Sequence, residues 1–219
     1  MSLLDTVYAD VKQFLMTNKE LLFNERDLQM HLAKHLLVSG HYSDVDLEYF
    51  IPKEDLPDYP WENEQLRIDL VAKIEDEYLP IELKYKTRTV CKPLPRFGET
   101  SKDSVEVMKN QGAQDLGMYD FWKDVRRIEL VRKRYKKVKN GLAVFVTNDE
   151  RYKKPGRSDS NHANMSMNEG AHTSKKHWLK KESKCCTTHP DFDVEKEYSI
   201  HWNSNKVEGE HIYYTLLTI

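Results

Sequence analysis

Three cysteines in 219 residues, Cys91, Cys185 and Cys186, are too few to staple a small secreted domain. Eight glycines and eight prolines exclude a collagen-like or low-complexity chain. No apolar run approaches the roughly 20 residues of a membrane helix. The first residues lack the basic, apolar and small-residue order of a secretory signal. Net charge is also nearly absent, at −2, so overall charge neither implies nor excludes a nucleic-acid partner. With 39% apolar residues, the expectation is a soluble, cytoplasmic globular protein that does not enter a membrane. Its length allows one full core, a single domain over residues 1–219, and room for a large insertion.

What is present is charge unevenly placed. Between His41 and Glu82 there are thirteen acids against three bases. Between Lys123 and Lys139 there are nine bases against two acids. Acidic chemistry beside basic surface suits a phosphate polymer held near a metal. The basic run reads equally as the solvated face of a long helix.

The most informative stretch is Arg67 to Lys86. Asp69, Glu82 and Lys84 alternate with Ile68, Leu70, Ile81 and Leu83, so a hairpin would segregate charged and apolar faces. A turn at Glu75-Asp76 pairs Ile74 with Glu77 and Leu70 with Ile81. The same register pairs Ile68 with Leu83 and Asp69 with Glu82. Two facing carboxylates repel unless a cation joins them, and a pair of acids suits Mg²⁺. The bland alternative is the wet face of an antiparallel hairpin with a Glu–Lys pair.

Around this hairpin the periodicity gives a helix from Leu3 to about Met16 and a second after Asn24. There Asn24 is the N-cap, and Phe23 and Leu28 sit at staple positions. Glu25 lies in the first turn, where capping chemistry alone would favour an acid. Asp44–Ile51 alternates as a strand ended by Pro52. Residues 87–102, with Pro93, Pro95 and Gly98, read as a loop. A long helical segment is expected from near Asp103 toward Arg134, broken around Gly112 to Gly117. Leu142–Thr147 reads as a buried strand. Residues 150–197 are polar and basic, a functional or mobile insertion. Residues 198–219 supply closing strands. His162, His172, His177, Cys185, Cys186 and His189 lack the paired spacing of a zinc finger.

The order is helix with Glu25, strand, strand with Asp69, strand with Glu82-Leu-Lys84, helix, strand. It resembles the PD-(D/E)xK nuclease superfamily over about residues 23–147. The usual Pro before the first Asp is replaced by Ile68. The resemblance implies an α/β restriction-endonuclease-like fold: a central mixed sheet flanked by helices, an αβββαβ core, with an irregular C-terminal extension. It implies a metal-dependent deoxyribonuclease using Mg²⁺ or Mn²⁺, held by Asp69, Glu82, the Leu83 carbonyl and Glu25. Lys84 would orient or help deprotonate the attacking water. Gln111, Gln114, Asp115 or Tyr119 would face the site from the following helix. Lys86 and the basic run, with Arg126, Arg127, Arg132, Lys133 and Arg134, would grip the backbone. Asp120, Asp124 and Arg127 also read as a surface charge set on the helix. DNA is the expected substrate, RNA an open alternative, and a homodimer follows only by analogy with double-strand cutters. A module of the same fold that binds a nucleic acid or a partner without catalysis stays open.

Overall fold

The computed structural model describes residues 2–61, 65–100, 103–180 and 182–219. A six-stranded mixed sheet forms its centre. The strands are β1 (Asp44–Ile51), β2 (Leu66–Ile74), β3 (Glu77–Lys86), β4 (Leu142–Thr147), β5 (Trp202–Val207) and β6 (Glu210–Thr218), in spatial order β1-β2-β3-β4-β6-β5. Only β3 and β4 run parallel, because the long helix α3 (Gln114–Arg134) carries the chain between them. Their six-residue register from Ile81↔Leu142 to Lys86↔Thr147 buries β4 completely.

Helices α1 (Leu3–Thr17) and α2 (Glu25–Ser39) cover one face of the sheet. Ser2 and Asp5 form a capping box on α1, and Asn24 caps α2 by accepting the Asp27 N–H at 3.0 Å. Gly40 ends α2 at φ +73°, a conformation that costs an L side chain energy. Val7, Val11, Leu28, Leu32 and Leu36 then pack on Leu70, Ile81, Leu83 and Val144. The other face packs on α3 through Phe121, Trp122, Val125 and Ile128.

The segment 150–197 is a packed cover over α3. Met165 and Met167 are wholly buried, with Trp178 and Phe192 close behind. Glu129 of α3 accepts the Glu195 N–H at 2.7 Å and the Tyr198 hydroxyl at 2.9 Å, while Trp122 donates to the Met165 carbonyl at 3.0 Å. The polar sequence hid this because single apolar residues, without a period, make the contacts.

Other expectations change. Residues 105–108 form a strand, paired with Val90–Lys92, so the helix begins at Gln114 and not near Asp103. Val105 and Val107 favour this pairing over a helix. Phe97 and Gly98, at φ +51° and +85°, turn a second short ribbon joining Pro95-Arg96 to Glu99-Thr100. The region expected to be a loop is therefore a β-arm rising from the end of β3. The C-terminal hairpin is longer than its periodicity suggested, since β5 is mostly polar and β6, with Tyr214 and Thr215 both buried, breaks the alternation.

Candidate active site

Leu70↔Ile81 and Ile74↔Glu77 pair as the alternation predicts. The β2–β3 ladder stops there, however, and Asp69↔Glu82 and Ile68↔Leu83 do not pair within it. The β1–β2 register also skips the step between Leu47↔Leu70 and Tyr49↔Ile68, where Glu48 turns to φ +50° opposite Asp69. Ile68 consequently packs with the α3 layer while Leu70 packs with the α1–α2 layer, so the apolar set is not on one face. Gln29 of α2 holds the opening. Its side-chain amide donates to the Asp69 carbonyl at 2.8 Å and to Glu48 Oε1 at 2.9 Å.

Carboxylates replace the missing ladder. Asp69 Oδ2 accepts the Leu83 N–H at 2.6 Å, and Glu25 Oε2 accepts the Tyr85 N–H at 2.9 Å. These amides are two residues apart on one edge of β3, the spacing of ladder donors. The Leu83 carbonyl accepts from Lys84 Nζ at 3.1 Å. The opening thus gathers Glu25, Asp69, the Leu83 carbonyl and Lys84 at one point.

The α3 side closes the cluster. Lys84 Nζ lies 2.9 Å from Asp124 Oδ2 and 3.9 Å from Glu25 Oε1. Arg127 Nη1 donates to Glu82 Oε1 at 2.7 Å and lies 3.4 Å from Asp124 Oδ1. Its Nε and Nη2 reach the Tyr59 hydroxyl at 3.2 and 3.0 Å. Glu82 is 1% exposed and Asp124 2%. Asp124 and Arg127 are therefore part of the centre and not a surface charge set. Their spacing of three on α3 puts both on the face toward β3. Asp120 sits nearby and pairs with Lys86 at 3.2 Å.

Burial pushes the Asp69 carboxyl up to about 6, against the attraction of Lys84 and with added repulsion from Asp124. Burial likewise raises Glu82 well above the usual range, and Arg127 only partly offsets it. Burial opposes charge on Lys84, but Asp124, Glu25, Asp69 and Glu82 together hold its ammonium above its ordinary pKa. Among the described residues four carboxylates face two cations, and Glu82 Oε2 is buried with no hydrogen-bond partner. Among the described residues, no three His, Cys, Asp or Glu side chains form a ready metal cage. Mg²⁺ does not need one, because it commonly takes one or two carboxylates and keeps waters or phosphate oxygens. The donor set fits such an ion.

Several expected residues lie elsewhere. Gln111 accepts the Thr87 N–H at 3.1 Å, and Gln114 donates to Asp149 at 3.0 Å; both hold loop and strand ends together. The early part of the predicted helix that would have aimed them inward is the β-arm. In the basic run, Arg126 pairs with buried Glu129, Arg132 donates to the Lys139 carbonyl, and Arg134 pairs with Asp55. Arg127 points into the protein. Lys133 is exposed. The run is therefore largely engaged within the fold. Asp124, Gln29 and Tyr59 were not expected; the only sequence trace of Gln29 was its spacing of four from Glu25. No helix is long and apolar enough to cross a membrane among the described residues.

No protein-family model, curated protein or solved structure matches this chain.

Proposed function

We propose that this chain is a metal-dependent nuclease of the restriction-endonuclease-like fold that hydrolyses DNA phosphodiester bonds. The order α2, β1–β2–β3, α3, β4, with β3 and β4 parallel, supports the αβββαβ core. One observation carries the chemistry. Where the ladder opens, an excess of carboxylate gathers around Lys84 and, among the described residues, leaves Glu82 Oε2 unpartnered. Asp69, Glu82 and the Leu83 carbonyl would hold Mg²⁺ or Mn²⁺, with Glu25 at the margin. Such an ion, when bound, polarises a phosphate oxygen and makes water more acidic.

The remaining work belongs to the side chains. Lys84 is held protonated by its acidic neighbours, so its role is to donate to the attacking water and to charge developing on the phosphate, not to act as a base. Asp124 positions Lys84. Arg127 fixes the Glu82 carboxylate and balances its charge. Asp69, near 6, is largely ionised at neutral pH, as a cation ligand must be.

A second reading has its own support. Each of these charges also has an internal partner: Asp69 the Leu83 amide, Glu82 Arg127, Lys84 Asp124, and Glu25 the Tyr85 amide. A closed network suits a non-catalytic binding module of the same fold. RNA in place of DNA uses the same acid–metal chemistry. Purified protein incubated with supercoiled, linear and single-stranded DNA, and with RNA, in Mg²⁺ or Mn²⁺ separates these readings. Cleavage lost in EDTA, in Glu82→Ala and in Lys84→Ala supports the nuclease and names its substrate. Metal-independent binding without cleavage of any substrate favours the binding module.

A further inference from the structure

Phe97 sits at the tip of the β-arm between β3 and α3, and its side chain is fully exposed at 104%. Its φ of +51° lies in the left-handed region, which disfavours bulky side chains. The two-residue turn Phe97-Gly98, with both φ positive, is of a kind that strongly prefers Asn or Asp at its first position. A phenylalanine there costs twice, in backbone strain and in exposed apolar surface. Neither cost is recovered inside the fold, since no ring or cation meets Phe97 among the described residues.

The arm is firmly based. Thr87 accepts the Gln111 N–H through its carbonyl at 2.8 Å, and its hydroxyl donates to the Lys109 carbonyl at 2.6 Å. Val90 and Met108 are buried beneath it. It starts directly after the strand that carries Glu82 and Lys84. Across a groove of ≈ 870 Å³ it faces Phe23, Asp27 and His31 at the start of α2, the helix end that supplies Glu25. Of the acids that line the groove, Asp27 accepts the Phe23 N–H, Glu208 accepts the Leu21 N–H and pairs with Lys92, and Glu20 stands beside them. Arg96 stands beside Phe97 on the ribbon, and Arg88 at the arm's base has an exposed guanidinium with no hydrogen bond or ion pair to a described residue.

We propose that Phe97 is a nucleobase-stacking residue, which holds an unpaired base of the strand bound beside the carboxylate centre. The proposal deepens the nuclease reading and rests on it for the substrate class. One isolated ring flanked by arginine matches a base, which offers a flat face and an adjacent phosphate. A protein interface would need a contiguous apolar patch of several hundred Å², and Pro95, Arg96 and Glu99 around the ring are exposed without forming one.

The test is equilibrium binding of a fluorescein-labelled single-stranded DNA 20-mer, and of the same RNA, to the full chain in Ca²⁺ at fixed salt. Wild type, Phe97→Ala and Phe97→Trp are compared, with thermal melts as the folding control. Stacking on one base predicts about five- to a hundredfold weaker binding by Phe97→Ala, full binding by Phe97→Trp, and unchanged melting. Equal binding by Phe97→Ala overturns the inference, while cleavage by the wild type would leave the nuclease reading standing. Phe97-dependent binding without cleavage in Mg²⁺ would keep the inference and overturn the nuclease. No binding of either nucleic acid by wild type overturns the inference.

Discussion

Asp69 Oδ2 accepts the Leu83 N–H at 2.6 Å, in the place where a main-chain carbonyl of β2 would complete the ladder. A side chain thus terminates sheet pairing and, by doing so, opens the edge of β3 toward Lys84, Glu82 and Glu25. In the proposed nuclease, structure and chemistry would share one carboxylate, which gives the substitution Asp69→Asn particular value: the amide oxygen can still accept the Leu83 N–H while the charge is gone.

The pH dependence of stability should expose that charge. Asp69 titrates near 6 in the folded chain against an ordinary value of 3.8. Between those values the folded state holds more protons than the unfolded state, so stability falls as pH rises and the loss is complete above about 6. The full effect is about 3 kcal/mol. Urea unfolding of metal-free protein from pH 4 to 7.5 should show wild type losing stability relative to Asp69→Asn, with the variant more stable at pH 7.5. Parallel curves would contradict the buried, raised carboxyl.

Arg127 should matter more to folding than a surface arginine. Its removal leaves Glu82 buried beside Asp124 without its counter-charge. Arg127→Met should cost about 3–5 kcal/mol, and adding Glu82→Gln should restore much of it. Denaturant midpoints of the two single variants and the double variant measure the coupling. A cost below about 1 kcal/mol would return Arg127 to the basic surface where the sequence placed it.

The hairpin, both helix starts and β4 were legible because each is written in local signals: alternation, an N-cap, an apolar run. The centre was legible only in part. Asp69, Glu82 and Lys84 stand out on adjoining strands, but Asp124 and Arg127 come from a helix some forty residues later, and their i, i+3 spacing is shared by countless surface pairs. The register at Asp69 was misread because alternation assumes an unbroken ladder, and Gln29 and Glu48 break it through tertiary contacts. The cover over α3 was hidden for a similar reason: Met165, Met167 and Trp178 carry no period.

Lys176 of that cover offers an independent check of its packing. It is wholly buried over the Trp122 ring, and burial pushes its amine down to about 7, against the attraction of Glu129. The unfolded chain binds this proton more readily, so stability should rise from pH 7 toward 10 by about 1.4 kcal/mol per unit at most. Lys176→Met should flatten that rise and stabilise the protein at pH 7. A variant that follows the wild-type slope in chemical denaturation would mean that Lys176 is solvated and the cover loose.

Cleavage of supercoiled DNA in Mg²⁺ by wild type and Asp69→Asn side by side shows whether the opening in the sheet is a cation-dependent hydrolytic centre. The expected result is nicking by the wild type, its loss in EDTA, and at least a hundredfold slower cutting by the folded variant. Cutting by Asp69→Asn at the wild-type rate would contradict it.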